Sequence, residues 1–273
     1  MAGVLYIVAT PIGNLEDITL RGLRVLKEVD LIAAEDTRQT RKLLNHYGIS
    51  TSLTSYYDEI EAKKAPLLIQ ELKAGKKIAL VSDSGTPTLS DPGFRLIRAA
   101  IQEGVPVIPI PGPSALTAVL SAGGLPTNSF VFEGFLPVKK SERREKIQEL
   151  RDERRTLVFF EAPHRIKEFL RDLLDILGDR EVALGRELTK LHEEFVRGPL
   201  SEVCAEAGRR EWRGEITVMV RGSEVMSVPS EDLLRAEIQR LQRKGLRVKE
   251  IAEILGEKFS CPKREIYRLA LEG

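Results

Sequence analysis

The sequence predicts a two-lobed α/β protein with an all-helical tail, and three observations carry that prediction. Short apolar runs alternate with amphipathic helical stretches through the first half, as βα units of a parallel sheet require. A break rich in glycine, proline and asparagine at residues 123–128 and a polar, proline-bearing stretch at 223–230 punctuate the chain. Beyond the second break only helical periodicity remains. The expected divisions are therefore a first lobe over 1–124, a second over 125–222 and a tail over 223–273.

In the first lobe, residues 5–9 read as a buried strand, followed by a loop at 11–14 and a helix near 19–27. Residues 31–34 form a second strand that ends in Glu35-Asp36-Thr37-Arg38 at the mouth of another helix. Residues 59–73 carry helical periodicity, with Gly75 as the stop. A third strand at 78–81 leads to a helix over 92–102 capped by Asp91, and a fourth strand spans 105–110. A helix over 113–120 opens with Pro113 in its first turn.

The second lobe shows strands at 130–133, 157–160, 181–184, 194–196 and 216–220, with helices at 142–151, 166–177 and 200–208. Fewer helices between strands predict a mixed sheet. In the tail, Leu234, Ile238 and Leu241 share one helix face, and Val248, Ile251, Ala252 and Leu255 share another, which Gly256 ends. Pro262 stands early in a third helix with Ile266, Leu269 and Ala270 on its apolar side, the pattern of a helix-turn-helix unit.

Composition sets the outer limits. A hydrophobic share of 42% with 30% charged residues and a net charge of +1 describes a globular chain with a real core and excludes disorder. Cys204 and Cys261 are far apart, and His46, His164 and His192 are scattered, so neither a disulfide scaffold nor a metal site is expected. No apolar run approaches the roughly 20 residues that span a bilayer, and the first residues lack a signal-peptide series. A soluble, cytoplasmic protein is expected.

The chemistry-bearing segments sit at strand ends. Residues 81–93 read Val-Ser-Asp-Ser-Gly-Thr-Pro-Thr-Leu-Ser-Asp-Pro-Gly, directly after a buried strand, where open α/β sheets bind ligands. Glycine lets backbone approach a ligand, and serine and threonine offer adaptable hydrogen bonds. No Gly-x-x-x-x-Gly-Lys or Gly-x-Gly-x-x-Gly motif is present. With two carboxylates and no lysine, the loop suits a cationic or neutral ligand. Thr10-Pro11-Ile12-Gly13-Asn14 and Pro111-Gly112-Pro113-Ser114-Ala115 end two other strands. Each alone is an ordinary βα turn, but three such loops at one sheet edge define a crevice.

Glu35-Asp36-Thr37-Arg38 reads equally as a helix N-terminus favouring acids or as part of that crevice. In the second lobe, Phe159-Phe160-Glu161-Ala162-Pro163-His164-Arg165 brings Glu161, His164 and Arg165 to a strand end. Gly185-Arg186-Glu187-Leu188-Thr189-Lys190 adds two cations, and Gly214-Glu215-Ile216 sets backbone within reach of a ligand. Residues 138–155 hold eight Lys or Arg against five Asp or Glu, and residues 235–273 hold ten against six. A charged helix face is usually only solvated; a basic helix-turn-helix tail on a cleft-bearing core points to nucleic acid.

In order and spacing, VATPIGNLEDIT, AEDTR, SDSGTPTLSDPG, PGPSA, EGFLP, FFEAPHR and GRELTK resemble the tetrapyrrole methylase superfamily, the class III S-adenosylmethionine methyltransferases. Within it they are similar to the ribosomal RNA small-subunit methyltransferase I family, over about the first 222 residues. The resemblance implies the tetrapyrrole methylase fold, with S-adenosylmethionine in the cleft between the lobes of a homodimer. The implied reaction is 2′-O-methylation of a cytidine ribose (position 1402 in rRNA nomenclature) in the decoding region of 16S rRNA, the partner being that RNA or the 30S subunit. Pro11, Asp83, Gly85, Thr86, Leu89, Ser114, Ala115, Ala162, Leu184 and Ile216 are the implied cofactor contacts. Glu35, Asp36, Asp83, Glu161 and His164 are candidate bases, with Arg38, Arg165, Arg186 and Lys190 positioning phosphate or ribose. Corrin-pathway members carry Gly-Asp-Pro where this chain has Ser82-Asp83-Ser84, a departure that argues against a porphyrin substrate. Two alternatives remain beside this one: a tetrapyrrole-type small-molecule methyltransferase, and a non-catalytic nucleic-acid binder with the core as ligand sensor.

Overall fold

A computed structural model describes residues 3–224, 231–259 and 261–272. Most of the expected linker at 223–230 lies outside the described residues. Two compact units form, one from Met1–Gln148 with Arg155–Arg221, the other from Glu149–Arg154 with Gly222–Gly273.

The larger unit contains two five-stranded sheets. In chain order the first half runs β1 (Val4–Val8), α1 (Leu20–Glu28), β2 (Leu31–Ala34), α2 (Thr37–His46), β3 (Leu53–Ser55), α3 (Asp58–Lys73), β4 (Lys77–Val81), α4 (Phe94–Gln102), β5 (Val107–Ile110) and α5 (Ala115–Ala122). The strands are all parallel, in the order β3-β2-β4-β1-β5. Period-two alternation sends Val8, Ile32, Ala79 and Val81 toward α1 and α2, and Leu5, Ala33, Ile78 and Leu80 toward α3 and α4. Both faces are therefore covered, and the strands' carboxyl ends all open on one edge.

The edge strand β3 is an addition to the four strands read from the sequence. The helix after β4 begins at Phe94, not at 92, and Asp91 does not cap it. Its N-cap is Gly93, at φ 137°, which carries no capping side chain. The cap comes from α3, where the buried carboxylate of Glu61 accepts from Gly93 N–H and Arg95 N–H at 3.1 Å and from the Tyr56 hydroxyl at 3.0 Å. Likewise Pro113 precedes α5, which starts at Ala115.

The second half runs β6 (Phe130–Phe135), α6 (Lys140–Glu149), β7 (Thr156–Glu161), α7 (Ile166–Leu177), β8 (Glu181–Arg186), β9 (Glu194–Pro199), α8 (Leu200–Gly208) and β10 (Ile216–Val220). Its sheet, ordered β6-β7-β10-β8-β9, is mixed: β6 and β7 are parallel, and every other pairing is antiparallel. Ile216 pairs with both Glu161 and Arg186, so the ends of β7 and β8 meet the start of β10. α5 precedes the 123–128 break but packs on this sheet, in a cluster of Leu116, Val119, Val158, Ala183 and Met219. That cluster also takes in Ile12 from the first lobe, which locks the two sheets into one unit.

Two cations of the basic stretch at 138–155 turn inward. Arg143 is buried against Asp172 at 2.8 Å, and Arg144 binds Asp172 and Asp175.

In the smaller unit, α9 (Glu231–Arg243), α10 (Val248–Phe259) and α11 (Lys263–Glu272) enclose a core of Leu234, Ile238, Leu241, Ile251, Ala252, Leu255, Ile266, Leu269 and Ala270. Gly256 does not end α10; it lies inside the helix. A Cβ there would stand 3.2 Å from Lys263 and 3.5 Å from the Cys261 carbonyl, so its bareness lets α11 approach.

Candidate active site

A cavity of about 330 Å³ opens between the carboxyl edge of the parallel sheet and the β7–β10 end of the mixed sheet. The 82–93 loop after β4 supplies Ser84, Gly85, Thr86, Leu89, Ser90 and Asp91; the turns after β1 and β5 supply Ile12, Ser114 and Ala115. The second lobe closes it with Phe135, Phe160, Glu161, Ala162, Pro163 and residues 214–217. Among the described residues, three carboxylates line this wall, those of Asp91, Glu161 and Glu215, and no lysine, arginine or histidine does.

The loops are held in register by the backbone. Thr10 and Gly85 exchange hydrogen bonds in both directions, 2.8 and 3.0 Å, and Thr86 donates to the Pro113 carbonyl. Gly85 needs its φ of +80°, and Thr88 and Ser90 adopt φ of 76° and 69°, strained for residues with a Cβ. Across the cleft, Gly134 makes the bulge of β6 with φ 62°. A Cβ there would come within 2.7 Å of Ser90 Oγ, so the second lobe seats directly on the long loop.

Behind the cavity the acidic motif interlocks with the same loop. Asp83 accepts from Asp36 N–H at 2.8 Å, and Glu35 accepts from Asp83 N–H at 3.3 Å. Asp36 in turn caps α2 through Arg38 N–H and pairs with the Arg38 side chain at 2.7 Å. The Arg38 hydrogen bond holds the half-buried Asp36 carboxyl down at about 2. Burial raises Glu35 and Asp83 instead, and their mutual proximity adds to the effect for Glu35. Burial, then the charge of Glu35, pushes Asp91 up to about 7, although the nearby Ser82 hydroxyl favours the ionised form.

The candidates from the sequence divide clearly. Gly85, Thr86, Leu89, Ser114, Ala115, Ala162 and Ile216 line the cavity, as does Glu161. Pro11 and Asp83 line a neighbouring cavity of about 500 Å³ against α2, and Leu184 is fully buried in β8. Glu161 is buried with both oxygens engaged, by Ala162 N–H at 2.7 Å and Arg165 at 3.1 Å, yet burial still raises it. His164 faces solvent. Arg165 also donates to the Leu136 carbonyl, and Arg186 binds Glu194 and the carbonyls of Arg213 and His192. Lys190 binds Glu187 and Glu215 beside Gly13; burial opposes its charge, but those two partners prevail and raise it. The sequence missed Asp91 as a wall residue, because its position beside Pro92 imitates a helix cap.

With the parallel sheet, the mixed sheet and a cleft at their joined edges, the chain belongs to the Tetrapyrrole (Corrin/Porphyrin) Methylases, whose family model matches residues 4–204. It is 47% identical over 272 residues to Ribosomal RNA small subunit methyltransferase I of Halalkalibacterium halodurans, covering 98% of this chain and 94% of the relative. A relative of the same name from Thermotoga maritima is 50% identical over 222 residues, 81% of this chain and all of the relative. Among solved structures, uroporphyrin-III C-methyl transferase from Thermus thermophilus complexed with S-adenyl homocysteine shares the fold. Its TM-score is 0.54 at 23% identity, over 80% of this chain and 97% of that one.

Proposed function

We propose that the chain is an S-adenosylmethionine-dependent methyltransferase acting on the ribose 2′-hydroxyl of a cytidine, position 1402 in rRNA nomenclature, in the decoding region of 16S rRNA. The observation that carries the reading is identity of 47% along 98% of the chain to a relative named for ribosomal RNA small-subunit methylation. The cleft chemistry fits the cofactor: the wall carries Asp91 together with Glu161 and Glu215, the last two ion-paired with Arg165 and Lys190, so it leaves no unpaired cation to meet a nucleotide phosphate and suits a ligand with a sulfonium charge. Gly85, Thr86, Leu89, Ser114, Ala115, Ala162 and Ile216 would hold it, much of the contact coming from backbone. When bound, the cofactor supplies an electrophilic methyl group on a sulfonium.

The chain's own residues contribute position and dryness. Leu89, Phe160 and Ile216 exclude water from the reacting centre. The fixed loops then hold the hydroxyl in line with the methyl group, the effect that supplies much of the rate. Arg38, 87% exposed beyond its pairing with Asp36, is the candidate cation most open to a phosphate, while Lys190 is held by Glu187 and Glu215. Arg165 and Arg186 mainly brace their own lobe. The remaining parts of the proposal are a cytoplasmic homodimer, the 30S subunit as partner, and a tail that adds RNA affinity. Among the described residues no helix is long and apolar enough to cross a membrane.

A tetrapyrrole-type substrate is the second reading, favoured by the family description. Labelled S-adenosylmethionine offered in parallel with unmethylated 30S subunits, naked 16S rRNA and a uroporphyrinogen separates the two. Label is expected in RNA at a single cytidine ribose; label confined to the porphyrin overturns the assignment.

A further inference from the structure

Asp91 does not cap α4 and lines the cleft instead. We propose that Asp91 is the general base of the reaction, the group that takes the proton of the attacking ribose hydroxyl; this rests on the RNA methyltransferase reading above.

The other carboxylates at the site are committed elsewhere. Glu35 and Asp83 accept from loop N–H groups, and Asp83 faces the neighbouring cavity. Asp36 is paired with Arg38, Glu161 has both oxygens engaged, and the exposed Glu215 is paired with Lys190. Among the described residues no ion pair engages Asp91, and the nearby Ser82 hydroxyl donates to the Ser84 and Gly85 carbonyls at 3.3 and 3.4 Å, which leaves the Asp91 carboxylate with acceptor capacity toward the cavity. Its aim is fixed from three sides. Thr10 and Gly85 are tied together at the start of the loop, Glu61 takes Gly93 N–H at the end, and Gly134 seats against Ser90 from the opposite lobe. Left-handed backbone at Thr88 and Ser90 persists because these restraints over-determine it.

The acids around Asp91 are Glu35, Asp83 and Asp58 in its own lobe, and Glu161 and Glu215 across the cavity, the last two ion-paired with Arg165 and Lys190. Burial, then the charges of Glu35, Asp83 and Asp58, set it at about 7, where a base is substantially ionised at neutral pH and still takes up a proton readily. In the step itself the hydroxyl oxygen bonds to the methyl carbon, the carbon–sulfur bond breaks with its electron pair left on sulfur, and the hydroxyl proton passes to Asp91.

The test compares wild type with Asp91→Asn and Ser82→Ala on unmethylated 30S subunits, with cofactor affinity measured by calorimetry. Asp91→Asn is expected to bind cofactor as wild type does, to lose about 10²–10⁴-fold in kcat, and to lose the acidic limb of the pH–rate profile near pH 7. Ser82→Ala removes a nearby hydroxyl that favours the ionised form and should move that limb upward. A wild-type minus Asp91→Asn infrared difference spectrum, taken without cofactor or RNA, should show a carboxyl band titrating near pH 7. An unchanged kcat in Asp91→Asn overturns the proposal. So does a loss that lies wholly in cofactor affinity and vanishes at saturating cofactor, which would make Asp91 a binding group. Wild type that methylates no RNA removes the reading beneath it and this inference with it, whatever the infrared result.

Discussion

Four non-glycine residues with positive φ among the described residues fall in two loops, Thr88 and Ser90 after β4, Glu187 and Thr189 after β8. Such conformations cost on the order of 1–3 kcal/mol each and persist where surroundings force them. Asp91 adds an electrostatic cost of the same kind. Its folded-state value of about 7 lies above the unfolded 3.8, so the folded chain holds the proton more tightly. The stabilising effect of that proton is present below about pH 4 and is lost as pH rises through 7. Asp91→Asn cannot ionise, so its stability relative to wild type should rise by about 1 kcal/mol between pH 5 and pH 8 in urea unfolding, part of the shift being screened by solvent. A flat difference would show that burial at Asp91 is weaker than its surroundings indicate. The residue was legible as an acid in a ligand loop, but its role was not. Glu61, which displaces it as the cap of α4, sits 32 positions away from Gly93, and no local pattern announces that partnership.

At the scale of elements, the strand-end loops were legible because glycine, proline and small hydroxyl residues have few other uses after a buried apolar run. β3 escaped because it is three residues long, half-polar and at a sheet edge. Gly256 misled because a helical glycine that admits a neighbouring helix looks, in sequence, like one that ends its own. The β6 bulge is the element on which the cleft turns. Gly134→Ala would strain a left-handed residue by about 1–2 kcal/mol and press on Ser90. The expected outcome is a lowered melting temperature together with weaker cofactor binding, read by calorimetry. Lost stability with unchanged affinity would mean that the bulge and the loop adjust independently.

The whole molecule falls into two compact units, and the proposal divides the labour between them. The relative from Thermotoga maritima is matched entirely by 222 residues, a length that fits the two lobes without the helical tail. In the proposal the chemistry belongs to the lobes and the tail adds affinity. Deleting residues 228–273 should leave cofactor binding and kcat near wild type, raise KM for 30S subunits, and flatten the dependence of KM on salt by removing basic contacts. An unaltered KM would take the tail out of RNA recognition.

The uncharged-or-acidic wall of the cleft has a consequence for turnover. Methyl transfer turns a sulfonium into a neutral thioether, so the spent ligand carries one positive charge fewer than the ligand that entered. The wall that attracts the fresh donor thus releases the spent one, while a proton arriving on Asp91 balances the charge left behind. Product inhibition should accordingly be weak, and S-adenosylhomocysteine should bind less tightly than S-adenosylmethionine by calorimetry.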